Sequence, residues 1–401
     1  MLPPTRQLKK LSEICIIERG GSPRPIEDFL TSDANGVNRI KIGDTKNQTK
    51  YITYTKEKIK PEGVKRSRMV YPGDFILSNS MSFGKPYIME IEGCIHDGRL
   101  VLRPDNSIDK DFMYHLLGSG FMYAKFEQTA AGTGVKNLNI QKVKEIPLPL
   151  PPLPTQHKIV AALDEASAQI TASKSAIQSQ LDALDQLWQS SLSEVFENEE
   201  YELVKLGDVF TESKKAEIKD INDEDNCSFV PMADMNQEVM YFETKQIKTI
   251  GEVRKGYTYF AENDVLLAKV TPCFENGKSG VAKNLINGIG FGSSEYYVLR
   301  ANERILPEIL YYLISSKKFR IEGAKNMGGA VGLQRVKKER INNFEFYLPD
   351  LATQTRIVAH LDDLSQSIQG LRSLYRGQMM RFDALRASVL DQAFRGELVV
   401  E

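Results

Sequence analysis

Gly277-Lys278-Ser279 is the most suggestive chemical signature in this chain, because a phosphate-binding loop ends in those three residues. Such a loop also needs a glycine five positions before Gly277, where its amides would cradle phosphate, and Pro272 stands there. Asp234 with Glu243-Thr-Lys245 has the letters of a nuclease carboxylate array, a loose pattern that chance supplies in a chain of 401 residues. The four histidines, His96, His115, His157 and His360, lack metal-ligand spacing and read as solvated or core imidazoles. The glycine-rich stretches at 131–134 and 328–332 do not have dinucleotide-loop spacing, and no Asn-Pro-Pro-aromatic methyltransferase segment occurs. Cys15, Cys94, Cys227 and Cys273 form no close pair, so neither a disulfide framework nor a zinc site is expected. A reducing cytoplasm is the expected location. The start of the chain lacks a signal-peptide stretch, and no apolar run approaches the ~18 residues needed to span a bilayer. The expectation is a chain without catalysis of its own.

Charge offers a different reading. Lys and Arg number 52 against 53 Asp and Glu, a net of −1 that by itself disfavours a nucleic-acid partner. The distribution is uneven. Residues 1–150 carry 23 basic and 17 acidic side chains, whereas residues 151–200 carry 2 and 8. Residues 201–350 are close to neutral, with acids early (Asp220, Asp223, Glu224, Asp225) and bases late (Lys317 through Arg340). Such segregation can set positive surface against phosphate while an acidic segment stays clear of it.

The elements that would position these residues come in two copies. Thr155-Gln-His-Lys-Ile-Val-Ala-Ala-Leu-Asp164 recurs as Thr353-Gln-Thr-Arg-Ile-Val-Ala-His-Leu-Asp362, an offset of 198. Each follows a Pro/Leu segment, Ile146–Pro154 and Phe346–Leu351. Gly73-Asp-Phe-Ile-Leu77 answers Asn263-Asp-Val-Leu-Leu267, and Met113-Tyr-His-Leu-Leu117 answers Leu310-Tyr-Tyr-Leu-Ile314. Lys10-Leu-Ser-Glu-Ile14 matches Lys205-Leu-Gly-Asp-Val209. The chain closes on Glu397-Leu-Val-Val-Glu401, which resembles Glu202-Leu-Val-Lys-Leu206 at the head of the second copy. Termini lying side by side, and a pseudo-two-fold between the copies, are expected.

Within each copy, 1–154 and 199–352 mix short β-rich runs with turns, an α+β character, with one short helix each near 112–126 and 307–322. Segments 155–198 and 353–401 contain no proline, and their apolar residues step by four and three. Ile357, Leu361, Leu364, Ile368, Leu371, Tyr375, Gln378, Phe382, Leu385 and Val389 do so in the second; Ile159, Leu163, Ala166, Ile170, Ser173, Ile177, Leu184, Leu187 and Val195 nearly so in the first. That spacing predicts two long helices, N-capped at Thr155 and Thr353, packed as an antiparallel coiled coil that acts as a spacer.

The doubled order of these motifs resembles the specificity subunit of type I restriction–modification systems from end to end. The matching stretches include Gly20-Gly-Ser-Pro-Arg24, Gly73–Asn79, Gly93-Cys-Ile-His-Asp-Gly98, Asn137-Leu-Asn139 and the Pro/Leu segment in the first copy. Ala268–Lys278, Gly288–Glu295 and the terminal Ala393-Phe-Arg-Gly-Glu-Leu398 match in the second. Pro349-Asp-Leu-Ala departs mildly, where the family more often repeats Pro-Pro-Leu. The resemblance implies two target-recognition domains, each reading one half of a split double-stranded DNA site. It also implies two methyltransferase subunits that bind S-adenosylmethionine, and nuclease/translocase subunits using Mg and ATP. This chain itself would hold no cofactor or metal. A methylation-only assembly and a coiled-coil scaffold without DNA are the alternatives.

Base reading needs side chains in loops. In the first copy these are Arg19, Ser22, Arg24, Asn79, Ser80, Ser82, Lys85, Arg99, Thr133 and Lys136. In the second they are Lys269, Thr271, Glu275, Asn276, Lys278, Ser293, Ser294, Gln334 and Arg335. Gly84, Gly134, Gly277 and Gly332 would let backbone approach DNA. Trp188 and Tyr375 are the aromatic candidates for docking a partner on the helices, with burial as the alternative for Trp188.

Overall fold

A computed structural model of the chain describes residues 7–45, 48–78, 84–131, 137–236, 239–325, 327–329 and 334–398. The chain divides into two units, Met1–Ala176 with Gly377–Glu401, and Ile177–Arg376. The two long helices are Leu153–Phe196 and Leu351–Arg395, and each contributes one part to each unit.

The first unit is a two-sheet α+β domain. Its inner sheet has the strand order Cys15–Arg19, Arg99–Pro104, Phe75–Ser78, Pro86–Met89, Tyr51–Ile52. The outer sheet has the order Leu30–Thr31, Glu57–Ile59, Val37–Ile40, Gly93–Ile95, Arg68–Val70. Side chains alternate across the inner sheet. Phe75, Leu77, Leu100 and Leu102 join the core that includes Ile159, Leu163 and Phe394 of the long helices. Ile76 and Val101 pack instead with Ile40, Val70 and Ile95 of the outer sheet. Both faces are covered, which explains runs with no polar alternation.

The second unit repeats the plan by itself. Its inner order is Phe210–Glu212, Tyr296–Ala301, Val265–Ala268, Ser279–Val281, and its outer order is Gln246–Thr249, Asn226–Val230, Ile289–Gly292, Thr258–Ala261. In both outer sheets one pairing is parallel, Val37–Ile40 with Gly93–Ile95 and Asn226–Val230 with Ile289–Gly292. The Pro/Leu segments are strands. Pro147–Leu150 pairs with Gln7–Lys10, and Glu345–Leu348 pairs with Glu202–Lys205. A two-stranded ribbon tolerates Pro147 and Pro149 because alternate amides along an edge need no ladder partner.

Several expectations are corrected here. The single short helix expected in each copy is a pair, Lys110–Leu117 with Gly120–Thr129, and Pro307–Ser315 with Lys317–Ala324, and shorter helices such as Ile140–Lys144 and Lys338–Asn342 accompany them. A serine opens the second helix of each pair: the Ser119 and Ser316 hydroxyls each accept a 3.2 Å bond, from the Met122 and Phe319 amides. The long helices begin two residues before the threonines expected as caps. Asp350 caps the second one, accepting from the Thr353 amide at 2.9 Å and its hydroxyl at 3.1 Å.

Within each unit the long helices run antiparallel. In the first, Ile159 and Leu163 share a core with Ala393 and Phe394, and Lys174 pairs with Asp383 at 2.6 Å. In the second, Leu192 and Phe196 share a core with Leu361, and Arg372 pairs with Asp185. The two ion pairs are repeat equivalents, since Lys174 maps to Arg372 and Asp185 to Asp383 at the offset of 198. The four-and-three seam is not buried throughout: Leu187, Leu371 and Leu385 are exposed. Near the second domain the first helix turns a different stripe inward, Trp188, Leu192 and Phe196, spaced by four. Leu8 and Glu397 line one cleft of the first unit, so the described ends of the chain converge as expected.

Candidate nucleic-acid interface

The loops are held by polar fixtures that recur in both copies. Gln156 and Gln354 are fully buried at the start of the long helices. Gln156 accepts from the Asp109 amide at 2.7 Å and donates to the Ser107 and Pro151 carbonyls. Gln354 repeats all three bonds, with the Leu306 amide and the Arg304 and Pro349 carbonyls. Each glutamine thus stitches a long helix to the loop that opens the short helix pair. Two turns on, the equivalent carboxylates differ in partner: Asp164 meets His115 at 3.0 Å, and Asp362 accepts from the Tyr312 hydroxyl. Burial lowers the His115 pKa, against the opposing pull of Asp164.

A second fixture explains the recurring Gly-Asp and Asn-Asp signals. Gly73 and Asn263 both hold positive φ, 95° and 67°, which glycine and asparagine adopt most readily. The following aspartates close the turn by accepting from the Tyr71 and Ala261 amides. Each then takes an arginine from the longest inner strand: Arg103 on Asp74 at 3.1 Å, Arg300 on Asp264 at 2.8 Å. This pins the turn ahead of Phe75–Ser78 and Val265–Ala268, the strands that lead into the expected recognition loops.

In the second unit the structure brings three of those loops together. The Lys269 amide bonds the Glu295 carbonyl, the Thr271 amide bonds the Gln334 carbonyl, and Val336 returns to the Lys269 carbonyl. Arg335 grips Glu295 with two bonds, Nε to Oε2 at 3.0 Å and Nη2 to Oε1 at 2.5 Å. That contact holds the Glu295 carboxyl below the usual range, and Lys269 beside it is pushed down by burial. Lys269 donates to the Ser294 carbonyl, and Thr271 donates to Glu275 at 3.0 Å. Glu275, Asn276 and Ser294 are exposed, and Ser293 and Gln334 are half-buried. Lys278 is turned inward onto the Met232 carbonyl at 3.0 Å.

In the first unit Arg19, Ser22 and Arg24 converge on Asp97, which stands in the turn before the longest inner strand. Arg19 Nε donates to its carbonyl at 3.0 Å and Arg24 Nη2 to its carboxylate at 3.0 Å, with the Ser22 hydroxyl 3.5 Å away. Burial alone would raise the Asp97 carboxyl; a backbone bond and Arg24 outweigh it and hold the group low. Lys85 is exposed above the Tyr87 ring. Asn79, Ser80, Ser82, Thr133 and Lys136, with Gly134 and Gly332, lie outside the described residues.

Arg99 departs from expectation. It is fully buried, stacks on Tyr87 and donates to the Lys41 carbonyl and Thr45 hydroxyl, and burial pushes its guanidinium down to about 10. It belongs to the packing between strand and loop, away from any surface a duplex could touch. The described glycines also serve the fold. Gly84 and Gly277 hold φ of 86° and 75°, and a Cβ there would press on Phe126 and Arg320. Trp188 packs edge-on against Tyr312 at 5.6 Å, and Tyr375 is half-buried. Sequence reasoning passed over Asp97 and Glu295 as working residues. Both stand in stretches already matched to the family, Gly93–Gly98 and Gly288–Glu295.

Among the described residues no group of His, Cys, Asp and Glu is placed to hold a metal ion, and no helix is long and apolar enough to cross a membrane. The family described as the type I restriction modification DNA specificity domain matches twice, over residues 4–183 and 198–373. The EcoEI specificity subunit of Escherichia coli is 36% identical over 209 residues, covering 50% of this chain and 34% of that protein. This match, and that to the Escherichia coli EcoAI subunit at 35% identity, span about a third of those relatives' length. The StySPI specificity subunit of Salmonella potsdam is 23% identical over 84% of this chain and 77% of its own. Among solved structures, one on complex assembly and conformational transition of the type I R-M system matches 99% of this chain and 100% of that one, with a TM-score of 0.73 and 21% identity. The HsdS subunit from Thermoanaerobacter tengcongensis matches with a TM-score of 0.57 over 99% of this chain and 98% of its own, also at 21% identity. Two domain matches covering most of the chain, on two copies of one framework, place this protein in the type I restriction–modification DNA specificity family.

Proposed function

We propose that this chain is the sequence-specific DNA-recognition subunit of a type I restriction–modification complex. Each unit reads one half of a split site in double-stranded DNA, and the long helices set the distance between the halves. The same helices dock two methyltransferase subunits, which bring S-adenosylmethionine; restriction subunits bring Mg and ATP. The chain performs no catalysis itself and works in the cytoplasm.

One observation carries this reading. The two units share their polar fixtures: Gln156 and Gln354 match bond for bond, and Arg103 on Asp74 recurs as Arg300 on Asp264. Their loops share almost nothing: Arg19, Ser22 and Arg24 meet Asp97 in one, while Arg335 grips the Glu295 carboxylate and the Lys269 amide bonds the Glu295 carbonyl in the other. Two equal frameworks with unequal loops suit a pair of readers for two different short sequences.

The test is DNA binding by the full chain with its methyltransferase partner, titrated against salt. Contacts to phosphate predict that log affinity falls linearly with log salt, by about 0.9 per phosphate neutralised. A cognate duplex should also resist competition from random DNA. Binding without salt dependence or preference would favour a scaffold and refute the proposal.

A further inference from the structure

We infer that Arg335, held by Glu295, reads a guanine in the half-site of the second unit, and that Arg24 on Asp97 does so in the first. This rests on the DNA-reading function proposed above and names the base each site must contain.

The two carboxylates stand at comparable turns, while the arginines reach them from different loops, Arg24 by one bond and Arg335 by two. Asp97 and Glu295 occupy the turn leading into the longest inner strand, Arg99–Pro104 and Tyr296–Ala301. Both arginines lie on the surface, with side chains 60% exposed for Arg335 and 81% for Arg24. Exposed ion pairs contribute about 0–1 kcal/mol to folding, so stability gives little reason for either. An uncompensated carboxylate facing DNA would be repelled by phosphate, so its presence there needs a task.

The donor geometry supplies one. A guanidinium has five N–H donors in a rigid plane. Glu295 takes Nε–H and one N–H of Nη2. The end formed by Nη1 and the second Nη2 hydrogen stays open, and among the described residues nothing accepts from Nη1. That open fork is the one that matches guanine O6 and N7 in the major groove. Fixing the arginine in advance lowers the entropy lost on binding. Glu295 is thus a positioning residue.

The experiment selects DNA with the assembled full-chain complex from a duplex library. The first half-site is constant and the second randomised. For the unaltered complex a guanine at one second-half position is expected. Arg335→Ala should erode preference at that position alone, by roughly 10–100-fold, the range of a good bidentate contact. Arg335→Lys should keep only part of the preference, because an ammonium donates to guanine O6 and N7 without the fixed fork, and Glu295→Gln should weaken the preference at that same position. Arg24→Ala, with the library inverted, should affect one first-half position. An unchanged motif in Arg335→Ala overturns the inference, as does a uniform loss of affinity, which would mark a phosphate contact. If the unaltered complex selects no second half-site at all, the proposed function falls first. Tighter binding of duplexes that carry the constant half-site than of duplexes that lack it, in each variant, shows that the complex is assembled.

Discussion

Two buried glutamines tie the long helices to their domains. Gln156 and Gln354 each satisfy three backbone groups away from water. Replacing either with Ala strands an amide and two carbonyls, at about 1–3 kcal/mol for a buried unsatisfied group. We expect each single variant to lose roughly 2–4 kcal/mol in urea unfolding of its own unit. A loss under about 0.5 kcal/mol would show water taking over the bonds. His115 predicts a pH effect. Its folded pKa is depressed from 6.5, so below that value the unfolded chain binds a proton that the folded chain refuses. Stability therefore rises with pH in this window, and is lost as pH falls from 6.5 toward the folded value. NMR titration should find His115 titrating below 6.5, and His115→Tyr, which copies Tyr312, should remove this part of the acid sensitivity. A His115 pKa above 6.5 would reverse the sign. Both glutamines were visible in the sequence as repeated letters. Their task was not, because it depends on loops 48 residues away or nearly so. The same distance problem hid the carboxylate clamps: Arg24 and Asp97 are 73 residues apart, and Arg335 and Glu295 are 40.

At the level of elements, the long helices were legible because their apolar spacing and lack of proline leave few other options. Their boundaries moved by only two residues at the N-termini. The buried stripe was less legible. A heptad rule assumes one partner, but these helices meet each other and a globular domain, so Leu371 and Leu385 stay exposed while Phe196 is buried. The short helices split at Ser119 and Ser316, where a serine cap competes with helix continuation. The spacer role proposed for the helices makes a numerical prediction. Four residues inserted into both helices between domain contacts add ~6 Å at ~1.5 Å per residue. At ~3.4 Å per base pair, the preferred site should gain about one or two central base pairs. Methylation of duplexes that differ only in spacer length reads this directly; an unchanged optimum would refute the spacer role.

At the level of the whole chain, the repeat was the most legible feature, since two copies of one core must solve the same packing problem with the same residues. The net charge of −1 was the most misleading. It sums a basic first domain, an acidic helix segment and cations already committed to acids, such as Arg300 on Asp264 and Lys338 on Glu212. What the chain leaves exposed at equivalent turns, arginines on carboxylate supports, is a better guide to function than the total. The central claim is that one chain carries two independent readers. The most direct test is methylome sequencing of a host that expresses this chain with its methyltransferase partner. The expected result is a split adenine-methylated motif, two short defined halves around a fixed unspecified spacer. A contiguous motif, or no motif, would contradict it.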